Sequence, residues 1–167
     1  KLPENTPVKN VTLVHSLLGF VLSMLLVFRT NTAYDRWWEG RKLWGTLTNS
    51  SRNLAIKLDA ILAEDNSDDR QFFIKSISLF SRILMNHLAS EETRVMISDN
   101  EMDELNISKN AKHLPSHSTS IMYKRMLNLK KQHKIEDVDI LILNEDLKEF
   151  MEICGGCERI KNTPIPF

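Results

Sequence analysis

The stretch from Val11 to Phe28 constrains this chain more than any other, because its 18 residues are almost wholly apolar and carry no formal charge. As a helix rising about 1.5 Å per residue it reaches roughly 27 Å, close to the thickness of a bilayer core. A soluble fold would have to bury such a helix on every side, whereas a membrane solvates it directly. At Arg29 the character changes. Arg36, Arg41 and Lys42 follow, interleaved with Tyr34, Trp37, Trp38 and Trp44. Aromatic rings and basic side chains gathered at one end of an apolar span mark a membrane interface, and the basic excess assigns that end to the cytoplasm. The sequence predicts a transmembrane helix over 11–28, a cytoplasmic helical region over 29–160 and, at 161–167, the start of a next span.

Elsewhere the chain reads as all-α. Five Gly and five Pro are scattered through 167 residues, and no stretch alternates apolar and polar residues as a half-buried strand would. The length suits one domain with a real core. Twenty-two basic and 22 acidic residues balance, so no overall field draws in nucleic acid or an acidic substrate. The basic cluster Lys124, Arg125, Lys130 and Lys131 has only Tyr123 nearby as an aromatic, and we expect no nucleic-acid partner. It reads as a solvated last turn that suits the helix dipole.

Taken in order, residues 1–10 are polar with two prolines and read as a loop. Within the apolar span Phe20, Met24 and Phe28 are spaced four apart and share a face, while Ser16, Gly19 and Ser23 lie on an adjoining one where small residues let helices approach closely. Beyond Thr30 the helix continues to about Ala63, with Trp37, Trp44, Leu47, Leu54, Leu58 and Ile61 on its apolar side. Asp68 or Asp69 is placed to cap a helix ending at Leu88. Ser90 to Ser118 is the least patterned region, and Leu114-Pro115 is expected to break any helix there. Ser118 or Thr119 then caps a helix through His133, and Asp137 or Asp139 opens the last one. That helix buries Leu143, Leu147, Phe150, Met151 and Cys154, and runs through Gly155-Gly156, which permit close contact. The acidic run at Ala63 to Asp69 lacks the spacing of a calcium loop.

Cys154 and Cys157 form C-G-G-C, and the five histidines show no ligand spacing, so neither a metal nor a cofactor is expected. The cysteines are read as small reduced thiols in a helix interface, with a membrane-anchored redox protein as a rival reading. A second rival is a soluble all-helical interaction domain whose core is the apolar helix.

Two blocks carry a resemblance. FRTNTAYDRWWEGRKLWG, from Phe28 to Gly45, resembles the signature of the bestrophins, in particular their bacterial branch, and CGGCERIKNTPIPF, from Cys154 to Phe167, resembles the segment leading those channels into their next membrane helix. The resemblance implies a subunit of an oligomeric, pentameric ion channel in the cell membrane, multi-pass in its full length, conducting chloride or other anions, with cation selectivity as the alternative within the family. It also implies that Phe20, Met24 and Phe28 line a hydrophobic pore neck and that Ile160 forms a cytoplasmic aperture. Arg36, Trp37, Trp38, Arg41 and Trp44 make up the interface motif. The partners implied are other copies of the chain, the lipid bilayer and small ions, and the process is permeation, with no enzyme chemistry. The chain is expected to be part of a longer one, because it stops where a new element begins.

Overall fold

The computed structural model describes residues 7–94, 97–108 and 110–164. Five α-helices follow one another: α1 (Pro7–Ile61), α2 (Ser67–Leu88), α3 (Asp99–Glu104), α4 (Leu114–Lys131) and α5 (Asp137–Asn162), with one 3₁₀ turn at Glu91–Thr93. No strand occurs among the described residues, in keeping with the all-α reading. The chain divides into two compact units, one holding the described residues 7–39 and 163–164 and the other running from Gly40 to Asn162.

In the first unit α1 is already under way at Pro7, so residues 7–10 are helical where a loop was expected, and residues 1–6 lie outside the described residues. Proline suits a first turn, whose N–H groups have no helical partner. Ser23, within the apolar span, donates its hydroxyl to the Gly19 carbonyl at 2.7 Å, and Thr30, just beyond it, donates to the Leu26 carbonyl at 2.8 Å. These polar groups are satisfied within the helix itself, as an apolar solvent demands.

The second unit is built on the lower part of α1. Leu47, Leu54 and Leu58 recur along one stripe and are buried against Phe73, Phe80 and Leu84 of α2, Met122, Met126 and Leu129 of α4, and Leu143, Leu147, Phe150 and Cys154 of α5. Phe80 and Phe150 stack with ring centroids 4.7 Å apart at its centre. Arg70 closes the turn from α1 to α2 by donating to the carbonyls of Asp59 at 3.0 Å and Ala63 at 3.4 Å, satisfying groups that the end of α1 leaves open.

Three helix starts differ from expectation. Asn66, rather than Asp68 or Asp69, takes the N-cap position of α2. Asp69 is buried instead, and accepts from Arg125 Nε at 2.6 Å and Lys134 Nζ at 3.1 Å, so Arg125 is not a purely solvated cation. At Leu114-Pro115 the expected break is a beginning: His113 caps α4 by accepting from the backbone N–H of Ser116, and proline fills the first turn. Ser118 and Thr119 are therefore interior, both buried. The third difference lies in the unpatterned region, where α3 carries a capping box between Ser98 and Glu101. It ends with Asn106 at φ 56° and Ile107 N–H bonded to the Met102 carbonyl, which folds Ile107 back onto Met102 in a small cluster with Leu79, Ile83 and Leu105. Asp137 opens α5 as expected, and α5 continues to Asn162. Thr163 and Pro164 follow it outside the helix, and residues 165–167, which the next span would need, lie outside the described residues.

Of the two adjacent glycines, only Gly156 sits in a close approach. A Cβ there would stand 3.0 Å from Leu43 Cδ1 and 3.1 Å from Cδ2, whereas one at Gly155 would meet nothing within 4 Å. We expect Gly156→Leu to destabilise the folded protein by about 1–3 kcal/mol through overpacking. Gly155→Ala should stabilise it by about 0.5–1 kcal/mol through helix propensity. Thermal unfolding of the two variants in detergent measures both, and equal shifts would count against the close approach.

Candidate functional site

Phe20, Met24 and Phe28 lie on one face of α1, 66 %, 48 % and 56 % exposed. Helical spacing alone aligns them, since every fourth residue returns to nearly the same face. Tyr34, Trp37 and Trp38 form a cluster at the polar end of the span, with ring centroids 5.7 Å apart for Tyr34 and Trp37 and 6.1 Å for Trp37 and Trp38. Arg36, within the same unit, donates to the backbone carbonyl of Thr163, the first residue after α5. A charged donor on that carbonyl ties Thr163 to the helix within this unit. The remaining motif residues belong to the second unit, where Arg41 is exposed and Trp44 packs against the main core.

Ile160 is half-buried, with Cδ1 4.0 Å from where a Cβ on Gly40 would stand. It is therefore neither a core residue nor a bare tip. The absence of a side chain at Gly40 gives the isoleucine room against α1, and a larger residue there would press on it.

The structure also assembles a cluster that no sequence spacing announces. His87 in the last turn of α2, His113 at the start of α4 and Glu158 near the end of α5 converge, although His87 and His113 lie 71 and 45 residues from Glu158 along the chain. His87 Nε2 is 2.6 Å and His113 Nε2 is 2.7 Å from the same oxygen, Glu158 Oε1. A backbone N–H can only donate, so the Ser116 N–H at 3.1 Å from His113 Nδ1 places the His113 proton on Nε2, where it bonds Glu158. The hydrogen bond from His113 holds the Glu158 carboxyl below the usual carboxylate range, with the His87 bond adding to it and partial burial opposing. Lys161 Nζ bonds the His87 carbonyl at 3.0 Å and pins the same two helix ends together.

Cys154, one turn before Glu158, is fully buried, and Cys157 is buried beside it. Burial, reinforced by the neighbouring Glu158 carboxylate and by Cys157, pushes the Cys154 thiol up to about 12. A redox dithiol works through a thiolate near neutral pH, and this environment disfavours one.

A family model described as Bacterial/Fungal Bestrophin protein matches residues 3–167. A voltage-dependent anion channel-forming protein of Mesorhizobium japonicum is 33% identical over 155 residues, which cover 90% of this chain and 48% of that protein. One of a Nostoc species is 33% identical over 174 residues, covering 99% of this chain and 54% of its own length. Among solved structures, a variant of a bacterial bestrophin homolog from Klebsiella pneumoniae superposes with a TM-score of 0.75 at 27% identity, over 91% of this chain and 56% of that one. The chain spans about half the length of the curated relatives it matches. With the family pattern running through nearly all of the sequence and the helical fold shared with a solved member, the chain belongs to the bacterial and fungal bestrophin family.

Proposed function

We propose that this chain supplies the pore-lining helix and the cytoplasmic helical body of one subunit in a homo-oligomeric anion channel of the cell membrane. The observation that carries this reading is the exposure of the apolar span. Every large apolar side chain from Val11 to Phe28 is at least 44 % exposed, the lowest being Val21. Apolar surface on that scale is not left in water, because patches beyond a few hundred Å² mark contact with a membrane or a partner. The soluble reading needs this helix as its core, and no residue of its most apolar window is buried. Lipid covers one side of it and neighbouring copies cover the other.

One such helix cannot enclose a pathway, so a closed ring of copies is required, and five is the number that the family resemblance implies. The relatives' names, as voltage-dependent anion channel-forming proteins, supply the ion class. Transport is then passive. A ring formed by Phe20, Met24 and Phe28 presents an apolar constriction that resists wetting, and Ile160 forms a second constriction at the cytoplasmic end. No bond is made or broken.

Full-length protein reconstituted in bilayers under a potassium chloride gradient tests this. Currents should reverse near the chloride equilibrium potential. In the same bilayers Ile160→Ala should increase current while leaving the assembly intact. Reversal near the potassium potential would make the channel cation-selective. A destabilised and less conductive Ile160→Ala variant would remove the aperture.

A further inference from the structure

We propose that His87, His113 and Glu158 form a binding site for a divalent transition-metal ion of the zinc class. The three residues offer two imidazole Nε2 atoms and one carboxylate oxygen, all within 4.8 Å of one another, and they come from three different helices. Convergence of such ligands from separate helices is one way in which a fold builds a metal site. Two nitrogens select against calcium and magnesium, which prefer all-oxygen shells, and favour zinc, cobalt, nickel or copper.

The geometry needs little adjustment. Four-coordinate zinc holds its ligands at about 2.0–2.2 Å, which puts ligand atoms about 3.3 Å from one another. Both imidazole nitrogens now stand 2.6–2.7 Å from Glu158 Oε1, so the carboxylate has to withdraw by less than an ångström, while the two rings, whose ligand atoms lie within 4.8 Å, close on each other by at most about 1.5 Å. The side chains are 28 %, 34 % and 30 % exposed, open enough for an ion to enter and for water to fill the fourth position.

Binding moves one proton within each imidazole, because His87 and His113 both donate from Nε2 to the Glu158 carboxylate. The metal takes the Nε2 lone pair, so each ring must carry its proton on Nδ1 instead. Ser116 Oγ, 2.7 Å from His113 Nδ1, can turn from donor to acceptor and receive that ring's proton. The proton count is unchanged, and the cost is the Ser116 backbone N–H cap bond together with the two imidazole hydrogen bonds to Glu158, which the metal replaces. Cys154 touches Glu158 from the buried side and is not one of the ligands.

The test uses full-length protein in detergent, with Zn2+ binding followed by calorimetry and Co2+ binding by its visible absorption. Wild-type protein should bind one Zn2+ per chain that His87→Gln, His113→Asn and Glu158→Gln each weaken at least tenfold. Asn at position 113 keeps a cap acceptor for Ser116 while removing the imidazole, and circular dichroism checks that each variant is folded. Should one variant misfold, the other two decide. Cys154→Ala should bind like wild type. Absence of Zn2+ binding in the wild type, equal binding by all three variants, or loss of binding in Cys154→Ala would each overturn the assignment.

Discussion

Replacing Phe20, Met24 and Phe28 together by Ala should raise unitary conductance or open probability at least several-fold, while Leu22→Ala and Leu26→Ala leave both near wild type. Leu22 lies about 200° round the helix from Phe20, and Leu26 falls close to Leu22, so the two leucines face away from the stripe. Exposure does not separate the two sets, because Leu22 and Leu26 are 64 % and 66 % exposed, much like Phe20 and Phe28. Only the phase of the helix does. If the stripe faces the axis, removing its bulk admits water, and each 1.4 kcal/mol taken off the permeation barrier is about a tenfold gain in rate. Equal effects from both sets would make the stripe ordinary packing surface. Met24, the unbranched and flexible member, should give the smallest single-site change.

The second large effect concerns stability. Asp69→Leu should destabilise the folded protein by about 2–4 kcal/mol. The Asp69 side chain is 5 % exposed and receives both Arg125 and Lys134, which come from α4 and from the turn after it. Removing a buried carboxylate abandons both cations, a loss of about 3–5 kcal/mol when all partners are buried. Here Arg125 and Lys134 are each 38 % exposed and recover some hydration, which lowers the figure. Arg125 also lies over the Phe72 ring, 5.2 Å from its centroid, so part of its placement survives the change. The comparison is Asp59→Ala. Its carboxylate pairs with Arg70 at the surface and is 77 % exposed, and its loss should stay within about 1 kcal/mol. Denaturant unfolding of the two variants measures the difference, and equal losses would show that burial does not set the strength of the Asp69 cluster.

Helices with a regular apolar stripe were legible in the sequence, because burial of one face imposes its period on the residues. The lower half of α1, α2 and α5 follow that rule, and their buried residues Leu54, Phe80, Leu147 and Phe150 are the ones the periodicity selects. The caps were less legible. His113 takes a position that Ser or Asp usually fills, and Pro115 reads as a breaker or a first-turn residue depending on what precedes it. A six-residue helix such as α3 has too few turns to show a period at all. Phe20, Met24 and Phe28 were legible as a stripe because they are evenly spaced on one helix, but spacing alone does not distinguish a pore face from a lipid face, and the neck role comes from the family resemblance. The triad of His87, His113 and Glu158 stayed hidden because three separate helices have to pack before its members meet. The bond from Arg36 to the Thr163 carbonyl was hidden for the same reason, being 127 residues long in sequence.

The buried state of Cys154 and Cys157 has a practical meaning for chemistry done on the intact protein. Maleimides and methanethiosulfonates react with exposed thiolates, and Cys154, both enclosed and strongly disposed to keep its proton, presents neither property. Within this stretch the wild-type background is therefore silent to such reagents while the fold holds. Sidedness of the helical body is then readable from one introduced thiol. Asn66, in the loop between α1 and α2, is a poor choice because it is buried, whereas Glu64 and Asp65 beside it are exposed. A cysteine at Glu64 that an impermeant reagent reaches only after the membrane is opened would place this body on the inner side.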